Sequence, residues 1–129
     1  MTFSTLPARF APHLHGVLRI VTALLFLQHG VAKLFHVPHI AMFDGVTLFS
    51  LLGVAGVLEL CGSLLLLVGL FTRPTAFVLS GMMACAYFIA HFPKGLLPIV
   101  NQGELAALYC FVFLFLAAAG PGRFAIDRP

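Results

Sequence analysis

Long apolar stretches separated by short polar turns run along the whole chain. Four of them are close to the length of about 20 residues that a helix needs to cross a lipid bilayer, and they lie at residues 16–35, 51–70, 74–92 and 103–119. The fourth stretch is a little short and its start is polar. Prolines and glycines at the ends of the stretches do not continue a helix. The pattern predicts an all-α fold, an integral membrane four-helix bundle that forms a single domain over residues 1–129.

Composition supports a membrane protein and argues against a soluble enzyme. Hydrophobic residues make up 61% of the chain and charged residues 9%, whereas charged residues are about 25% of a typical soluble domain. The mean hydropathy is +1.10. Arg9 and Arg19 precede the first apolar stretch, as in a signal peptide, but no small-x-small cleavage site follows. We therefore expect a retained first helix, preceded by a loose or interfacial arm at residues 1–15.

The basic residues are distributed unequally between the two sides that four helices define. Lys33 and Lys94 lie on one side, which we term the outer side. The other five lie on the side of the two termini: Arg9, Arg19, Arg73, Arg123 and Arg128. Because basic residues favour the cytoplasmic side of a membrane, we predict that both termini are cytoplasmic. Topology thereby explains the net charge of +3, which does not indicate nucleic-acid binding.

Ionisable side chains gather in the outer half of the predicted helices. Such a group in hydrocarbon costs roughly 2.5 to 3.5 kcal/mol, so it usually faces a bundle interior. Glu59 is placed about 12 Å from the outer end of its helix. Three-four spacing groups the polar residues into one stripe per helix: Arg19, Thr22, Phe26, His29 and Lys33; Gly56, Glu59 and Ser63; and Ser80, Ala84, Tyr87 and His91. The stripes predict one polar pocket that opens to the outer side.

This pocket has two interpretations. As a structural clamp, Glu59 would pair with Lys33, since a buried ion pair can serve only to fix helix register. As a functional site, Glu59, Lys33 and His29 would donate hydrogen bonds and relay protons, which is the work of general acid–base groups. A bound cofactor would then contact residues of three of the four helices: His29, Phe26, Tyr87, His91 and Glu104.

The cysteines and the remaining histidines carry weaker signals. Cys61, Cys85 and Cys110 fall near the middle of their helices without a C-x-x-C motif, so we expect small buried hydrophobic residues and no thiol–disulfide centre. His13, His15, His36 and His39 are expected in loops. His36 and His39 could bind a metal ion adventitiously, and no dedicated metal site is predicted.

Five segments together resemble the DoxX family. They are HGVAKLF at 29–35, GVLELCGSLLLLVGLFTRPTA at 56–76, HFPKG at 91–95, NQGELA at 101–106 and GPGRFAIDR at 120–128. The resemblance implies a four-helix protein of the bacterial inner membrane. It also implies redox work, because relatives are associated with quinone-coupled thiosulfate oxidation and with complexes that handle thiol or oxidative stress. The family's recurrent positions correspond to His29, Gly30, Lys33, Glu59, Gly62, Arg73, Glu104 and Arg123.

Three functional hypotheses follow from the residues and the resemblance. The first is a redox subunit in which a quinone sits between Phe26 and Tyr87 and accepts hydrogen bonds from the polar pocket. Its electrons would come from a partner protein or a small reductant, because the chain has no flavin or dinucleotide motif. The second is a non-catalytic anchor or accessory subunit of a membrane complex. The third, less favoured, is haem b held by His29 and His91. The bilayer is a partner in all three, and a homo-oligomer is compatible with each.

Overall fold

The computed structural model describes residues 7–128, and every regular element in that part of the chain is helical. The long helices are α1 (Ala11–Phe35), α2 (Leu51–Val68), α3 (Thr72–Ala86) and α5 (Glu104–Ala119), and α4 (Pro98–Asn101) is a single short turn. A π-helical turn, Tyr87–His91, and a 3-10 turn, Phe92–Lys94, extend α3. The predicted all-α class is confirmed.

The helices have the length and apolar character of membrane spans. Three stretches of the described chain are long enough to cross a bilayer, Ala8–Phe35, Leu51–Val68 and Thr72–Lys94, and α5 is a shorter apolar helix. Large apolar side chains such as Leu24, Leu64 and Phe111 are exposed on the outside of the bundle. Lipid solvates such side chains as well as a protein core does, so this surface suits a bilayer. The structure therefore agrees with the predicted membrane helical bundle.

The four long helices pack most closely as two pairs, α1 with α2 and α3 with α5. A core of large side chains, in which Phe26, Leu66, Leu79, Phe113 and Leu116 are fully buried, lies between the pairs. The tail (residues 120–128) packs at one end of the bundle, which we call the tail end. The segments 36–50 and 92–103 lie at the other end, which we call the loop end. His29, Lys33, Glu59 and His91 all belong to the half of the bundle nearer the loop end.

Two helix boundaries differ from the sequence prediction. Helix α1 begins at Ala11, so His13 and His15 are helical and not in a loop. His15 Nε2 donates a hydrogen bond to the Gly120 carbonyl oxygen at 2.8 Å, which gives that turn a tertiary partner. Helix α3 begins at Thr72, two residues before the predicted start at residue 74, because proline is tolerated where helix N–H groups have no acceptor. Residues 1–6 of the predicted arm lie outside the described residues.

Arg19 closes the tail end of the bundle. Its side chain is 0% exposed, and the guanidinium donates hydrogen bonds to four backbone carbonyl oxygens: Leu66 at 2.8 Å, Arg123 at 3.0 Å, Phe124 at 2.7 Å, and Pro121. The Leu66 carbonyl belongs to the last turn of α2, where helical acceptors are left over. Arg19 therefore fastens α1 to the end of α2 and to the tail at once, a role that the sequence did not suggest.

Asp127 fastens the tail to the start of α3. Its carboxylate accepts hydrogen bonds from the backbone N–H groups of Phe71 at 3.0 Å and Thr72 at 2.8 Å. Partial burial acts to raise the pKa of Asp127, but the hydrogen bonds from Thr72 and Phe71 and the charge of Arg19 outweigh it and hold the pKa below its ordinary value. A carboxylate at the positive end of a helix is also stabilised by the helix dipole.

Replacing Asp127 with alanine is expected to lower the free energy of unfolding by about 1 kcal/mol at pH 7, as for loss of a helix N-cap. Because folding lowers the pKa, this stabilisation is complete above the ordinary aspartate value of about 3.9 and disappears as the pH falls through the folded value. Thermal unfolding in detergent should therefore separate Asp127→Ala from wild type at pH 7 and bring the two together in acid. Asp44→Ala, in an exposed loop, is the control. An equal deficit at both pH values would contradict this account.

The cysteine prediction was wrong for two of the three residues. Cys61 and Cys85 are exposed on the outside of the bundle, and Cys110 is half-buried, with its Sγ 3.5 Å from the Ser80 Oγ. A thiol is weakly polar, so lipid and protein interior are nearly equivalent surroundings for it. Its helix position, and not its preference for burial, decides which way it faces.

Candidate functional site

A buried ion pair joins α1 to α2 at the loop end. Lys33 Nζ donates to Glu59 Oε1 at 2.5 Å. The Lys33 side chain is 11% exposed and that of Glu59 is 5% exposed, so both charges are largely removed from solvent. The Lys33 ammonium also lies 5.6 Å from the centre of the Phe43 ring, within the range of a cation–π interaction. The pairing of Lys33 with Glu59 that the clamp interpretation requires is therefore present.

Two glycines allow this pair to form. A Cβ atom at position 30 would lie 2.7 Å from the Leu60 backbone nitrogen and 3.0 Å from the Gly56 carbonyl oxygen. A Cβ at position 56 would lie 3.1 Å from the Lys33 Cβ. Small residues let membrane helices approach closely, and here the close approach of α1 and α2 brings a lysine and a glutamate into contact one turn beyond Gly30.

The second oxygen of the Glu59 carboxylate has no hydrogen-bond partner among residues 7–128. Glu59 Oε2 is buried and receives no hydrogen bond, and Ser63 Oγ, one helical turn further along α2, is buried and equally unpaired. Buried polar atoms are normally hydrogen-bonded to protein or to ordered water, so each exception calls for an explanation. A pure clamp would not require a free carboxylate oxygen. These two atoms therefore indicate a place where something other than the described residues forms hydrogen bonds.

Aromatic rings surround the polar centre. The His29 ring centre lies 6.2 Å from that of Phe26 and 6.3 Å from that of Tyr109, with His29 and Tyr109 edge to face at 88°. Phe26 in turn lies 5.1 Å from Tyr109 and 5.0 Å from Phe113. Tyr109 is also close enough to Glu59 for the two to interact electrostatically. The α1–α5 contact is thus built from large rings, with His29 on its loop-end side.

His29 also borders a small open cavity. It has a volume of about 130 Å³ and is lined by Gln28, His29, Ala32, Pro38, Ile40 and Phe43. Helix α1 provides one wall, and the loop between α1 and α2 provides the other. Phe43 is shared between this cavity and Lys33. The cavity therefore lies beside Phe43, whose ring also contacts Lys33, and its mainly apolar lining includes one imidazole and one amide.

The other predicted cofactor residues lie in a second group. His91 Nδ1 donates to the Asn101 carbonyl oxygen at 3.1 Å, and Asn101 Nδ2 donates to the Tyr87 hydroxyl at 3.1 Å and to the Gly95 carbonyl at 2.9 Å. Asn101 is fully buried. Glu104 is exposed in the first turn of α5. The ring beside Phe26 and His29 is that of Tyr109, and Tyr87 instead contacts His91.

Sequence reasoning missed three residues of this end: Tyr109, Phe43 and Asn101. Tyr109 lies three residues after Ala106 and four before Phe113, which is the spacing of a buried stripe. Because nearly all residues of α5 are apolar, the sequence does not distinguish this face from the others. Phe43 belongs to a loop, where sequence spacing gives no contact. Asn101 was assigned to a polar helix start, whereas its buried side chain ties α4 to the end of α3 and accepts from the Gly103 N–H at 2.8 Å.

The arrangement has a definite hydrogen-bonding character. Lys33 can only donate, Glu59 Oε2 can accept, and the hydroxyls of Ser63 and Tyr109 can do either. In its neutral form the His29 imidazole has one nitrogen that can donate a hydrogen bond and one that can accept. A ligand with one polar group and an apolar ring would find both kinds of surroundings here.

Comparison with known proteins gives one family and two relatives. The DoxX family profile matches residues 15–92. A protein of Haemophilus influenzae, described as uncharacterized, is 47% identical over 125 residues, which are 93% of this chain and 92% of that protein. The inner membrane protein YqjF of Escherichia coli is 32% identical over 122 residues, 87% of this chain and 88% of that protein. No solved structure matches the chain.

Proposed function

The chain belongs to the DoxX family of membrane proteins, and from this premise we propose that it is a redox-associated subunit of the bacterial inner membrane. Its polar centre would bind a quinone and support the oxidation of a small reductant such as a sulfur compound. The inner-membrane location rests on the name of the Escherichia coli relative and on the apolar helices. The excess of arginines at the tail end supports an orientation with both termini in the cytoplasm.

One observation carries this proposal: the unpaired Glu59 Oε2 beside the Lys33–Glu59 pair. Glu59 as a whole is 4% exposed, so its free oxygen does not face bulk solvent. Desolvating a carboxylate oxygen without a partner is unfavourable. The quinol, whose hydroxyl can donate where a quinone carbonyl can only accept, would form a hydrogen bond with this oxygen and remove that penalty.

The residues present suit a ring with polar substituents. Phe26 and Tyr109 provide apolar surfaces, and His29 and Lys33 provide donors at their loop-end edge. The open cavity beside His29 is lined by α1 and by the loop between α1 and α2. These residues would hold the ring of a quinone, while its tail would remain in lipid. Tyr87 and His91 would contribute to closing the loop end, and Glu104, which is exposed, would remain outside the site.

The chemistry assigned to this chain is proton handling. A quinone bound here would supply two-electron, two-proton redox chemistry. The electrons would come from the reductant or from a partner protein. Lys33 keeps a positive charge next to the site, which favours negative charge on a neighbouring oxygen. Glu59 holds or accepts a proton at Oε2, and His29 exchanges protons with the loop end.

A second candidate function is an anchor or accessory subunit without a bound redox group. The Lys33–Glu59 pair favours it, because one buried pair between two helices is sufficient to fix their register. The Arg19 clamp at the opposite end shows that this chain uses buried charge for structure elsewhere. The haem hypothesis gains no support from the placement of its ligands, because His29 packs with Phe26 and Tyr109 whereas His91 packs with Tyr87.

Replacing His29 with alanine is expected to lower the quinone content of the purified protein several-fold, whereas His91→Ala should change it little. Loss of one hydrogen bond costs about 0.5 to 1.5 kcal/mol, and only His29 borders the cavity and Tyr109. The measurement is quinone extraction from matched preparations in lipid-preserving detergent. Equal quinone in all three proteins, or none in wild type, would favour the accessory-subunit alternative.

A further inference from the structure

The short connection before α5 is inverted relative to a loop in water. We call residues 95–101 the apolar segment. Its four large apolar side chains are more than half exposed: Leu96 at 76%, Leu97 at 59%, Ile99 at 76% and Val100 at 62%. Its one polar side chain, that of Asn101, is 0% exposed. A loop in water turns apolar side chains inward, because their burial removes apolar surface from water. The apolar segment therefore has the pattern of a chain in apolar surroundings.

Side chains hold the polar backbone of the apolar segment against the bundle. Asn101 Nδ2 donates to the Gly95 carbonyl oxygen at 2.9 Å, and Asn101 Oδ1 accepts from the Gly103 N–H at 2.8 Å. His91 Nδ1 donates to the Asn101 carbonyl oxygen at 3.1 Å. Three backbone groups around this break between helices thus have side-chain partners inside the protein. Non-helical backbone needs such partners where water is scarce.

The apolar segment also turns back alongside the neighbouring span. The stretch Thr72–Lys94 is long enough to cross a bilayer, and Lys94 at its end is exposed. Asn101 forms hydrogen bonds with Tyr87 and His91, which lie about one to two helical turns before Lys94. After Lys94 the chain therefore returns toward the middle of the bundle before α5 begins.

The length of α5 leaves room for apolar surface beyond its first turn. Its 16 residues span about 24 Å, whereas the hydrocarbon core of a bilayer is about 30 Å thick. At the tail end, the Arg73 guanidinium donates to the Ala118 carbonyl oxygen, so a charged group marks that end of α5. The shortfall of about 6 Å therefore falls at the loop end, where the apolar segment lies.

We infer that the apolar segment is an interfacial anchor that lies in the plane of the membrane and inserts its four large side chains among lipid acyl chains at the loop end. Segments of this kind lie about 5 to 10 Å into the boundary between headgroups and acyl chains. Three exposed polar residues beside the segment would reach the headgroups and limit its depth: Lys94, Gln102 and Glu104.

Lipid is the partner that fits this surface, because the surface continues the lipid-facing sides of two helices. Large exposed apolar side chains precede and follow the apolar segment along the chain: Phe88, Ile89, Leu105 and Leu108. Leu105 and Leu108 belong to α5, and Phe88 and Ile89 belong to the π-helical turn that extends α3. The inference is independent of the quinone proposal, since it requires only that the chain lies in a membrane.

The chain contains no tryptophan, so one introduced tryptophan reports the depth of its own position. The test variant is Ile99→Trp in phosphatidylcholine vesicles. Leu108→Trp, exposed on α5, is the reference for contact with lipid, and Arg128→Trp, exposed in the tail, is the reference for contact with water. Fluorescence is quenched in two ways, by phosphatidylcholine brominated near the top of its acyl chains and by acrylamide in the aqueous phase.

The brominated lipid should quench Ile99→Trp as strongly as Leu108→Trp. Acrylamide should quench Ile99→Trp about twofold less than Arg128→Trp, because an interfacial side chain lies several Å below the aqueous surface. Leu96→Trp, at an equally exposed position, should behave in the same way, and it decides the test if Ile99→Trp does not fold. Quenching of either folded variant in the pattern of Arg128→Trp would overturn the anchor and leave this surface free for a protein partner.

Discussion

Replacing Arg19 with methionine is expected to lower the free energy of unfolding by at least about 3 kcal/mol and to release the tail from the bundle. The guanidinium is fully buried and donates to four backbone carbonyls, on α2 and on the tail. Methionine occupies similar space but donates nothing, so the three tail carbonyls lose this donor and the Leu66 carbonyl keeps only its bond from the Gly69 N–H. Each buried acceptor left unpaired costs roughly 1 to 3 kcal/mol, with part of the loss recovered by water at the bundle end.

The measurement is thermal unfolding in detergent, combined with limited proteolysis of the tail. Arg123→Met is the matched control, because the Arg123 side chain is exposed and only its backbone carbonyl contacts Arg19. Arg19→Met should unfold earlier and become sensitive to protease near residue 122, whereas Arg123→Met should behave like wild type. Similar stability and protection in both variants would show that the tail does not depend on Arg19.

The second large effect concerns the ion pair. Lys33→Met and Glu59→Leu, made separately, should each lower stability by about 3 to 5 kcal/mol, because each leaves one buried charge without its partner. The double variant should recover most of the loss, since an apolar pair can replace a buried ion pair at little or no cost. Thermal unfolding of the four proteins gives the coupling energy between the two positions.

Lys94→Met and Glu104→Leu provide the control cycle, because both residues are exposed at the same end of the bundle. Their effects should be small and additive. If Lys33→Met and Glu59→Leu were also additive, the 2.5 Å contact would contribute nothing to folding, and the clamp interpretation would fail.

The features that were predictable from sequence are those that a bilayer penalises. Glu59 and Lys33 stand out in apolar stretches because a charge in hydrocarbon is unfavourable, and their helical spacing placed them on facing stripes before any contact was known. The four apolar helices were visible for the same reason. Gly30 and Gly56 can also be recognised in the sequence as sites where helices approach closely. In the structure they allow α1 and α2 to pack closely, which brings the two stripes into contact.

The sequence did not predict which apolar face of each helix points into the bundle and which faces lipid. In a soluble protein, polar residues mark the outer face of a helix. In a membrane protein, lipid and protein core are both apolar, so the sequence does not indicate whether Cys61 or Tyr109 points inward. Only the structure shows Cys61 exposed and Tyr109 buried beside His29. The roles of Arg19 and Asn101 were missed for another reason: most of their partners are backbone groups, which any residue type can supply.

The central claim is that the Glu59 region binds a redox carrier and is not only a clamp. The double variant Lys33→Met with Glu59→Leu tests it most directly, because it removes the polar centre while keeping the helices paired. Quinone is extracted and measured from wild type, from this variant and from Lys94→Met with Glu104→Leu. We predict a double variant that melts near wild type but has lost most of its quinone, with the control retaining it. The same quinone content in all three proteins, or none in wild type, would contradict the claim.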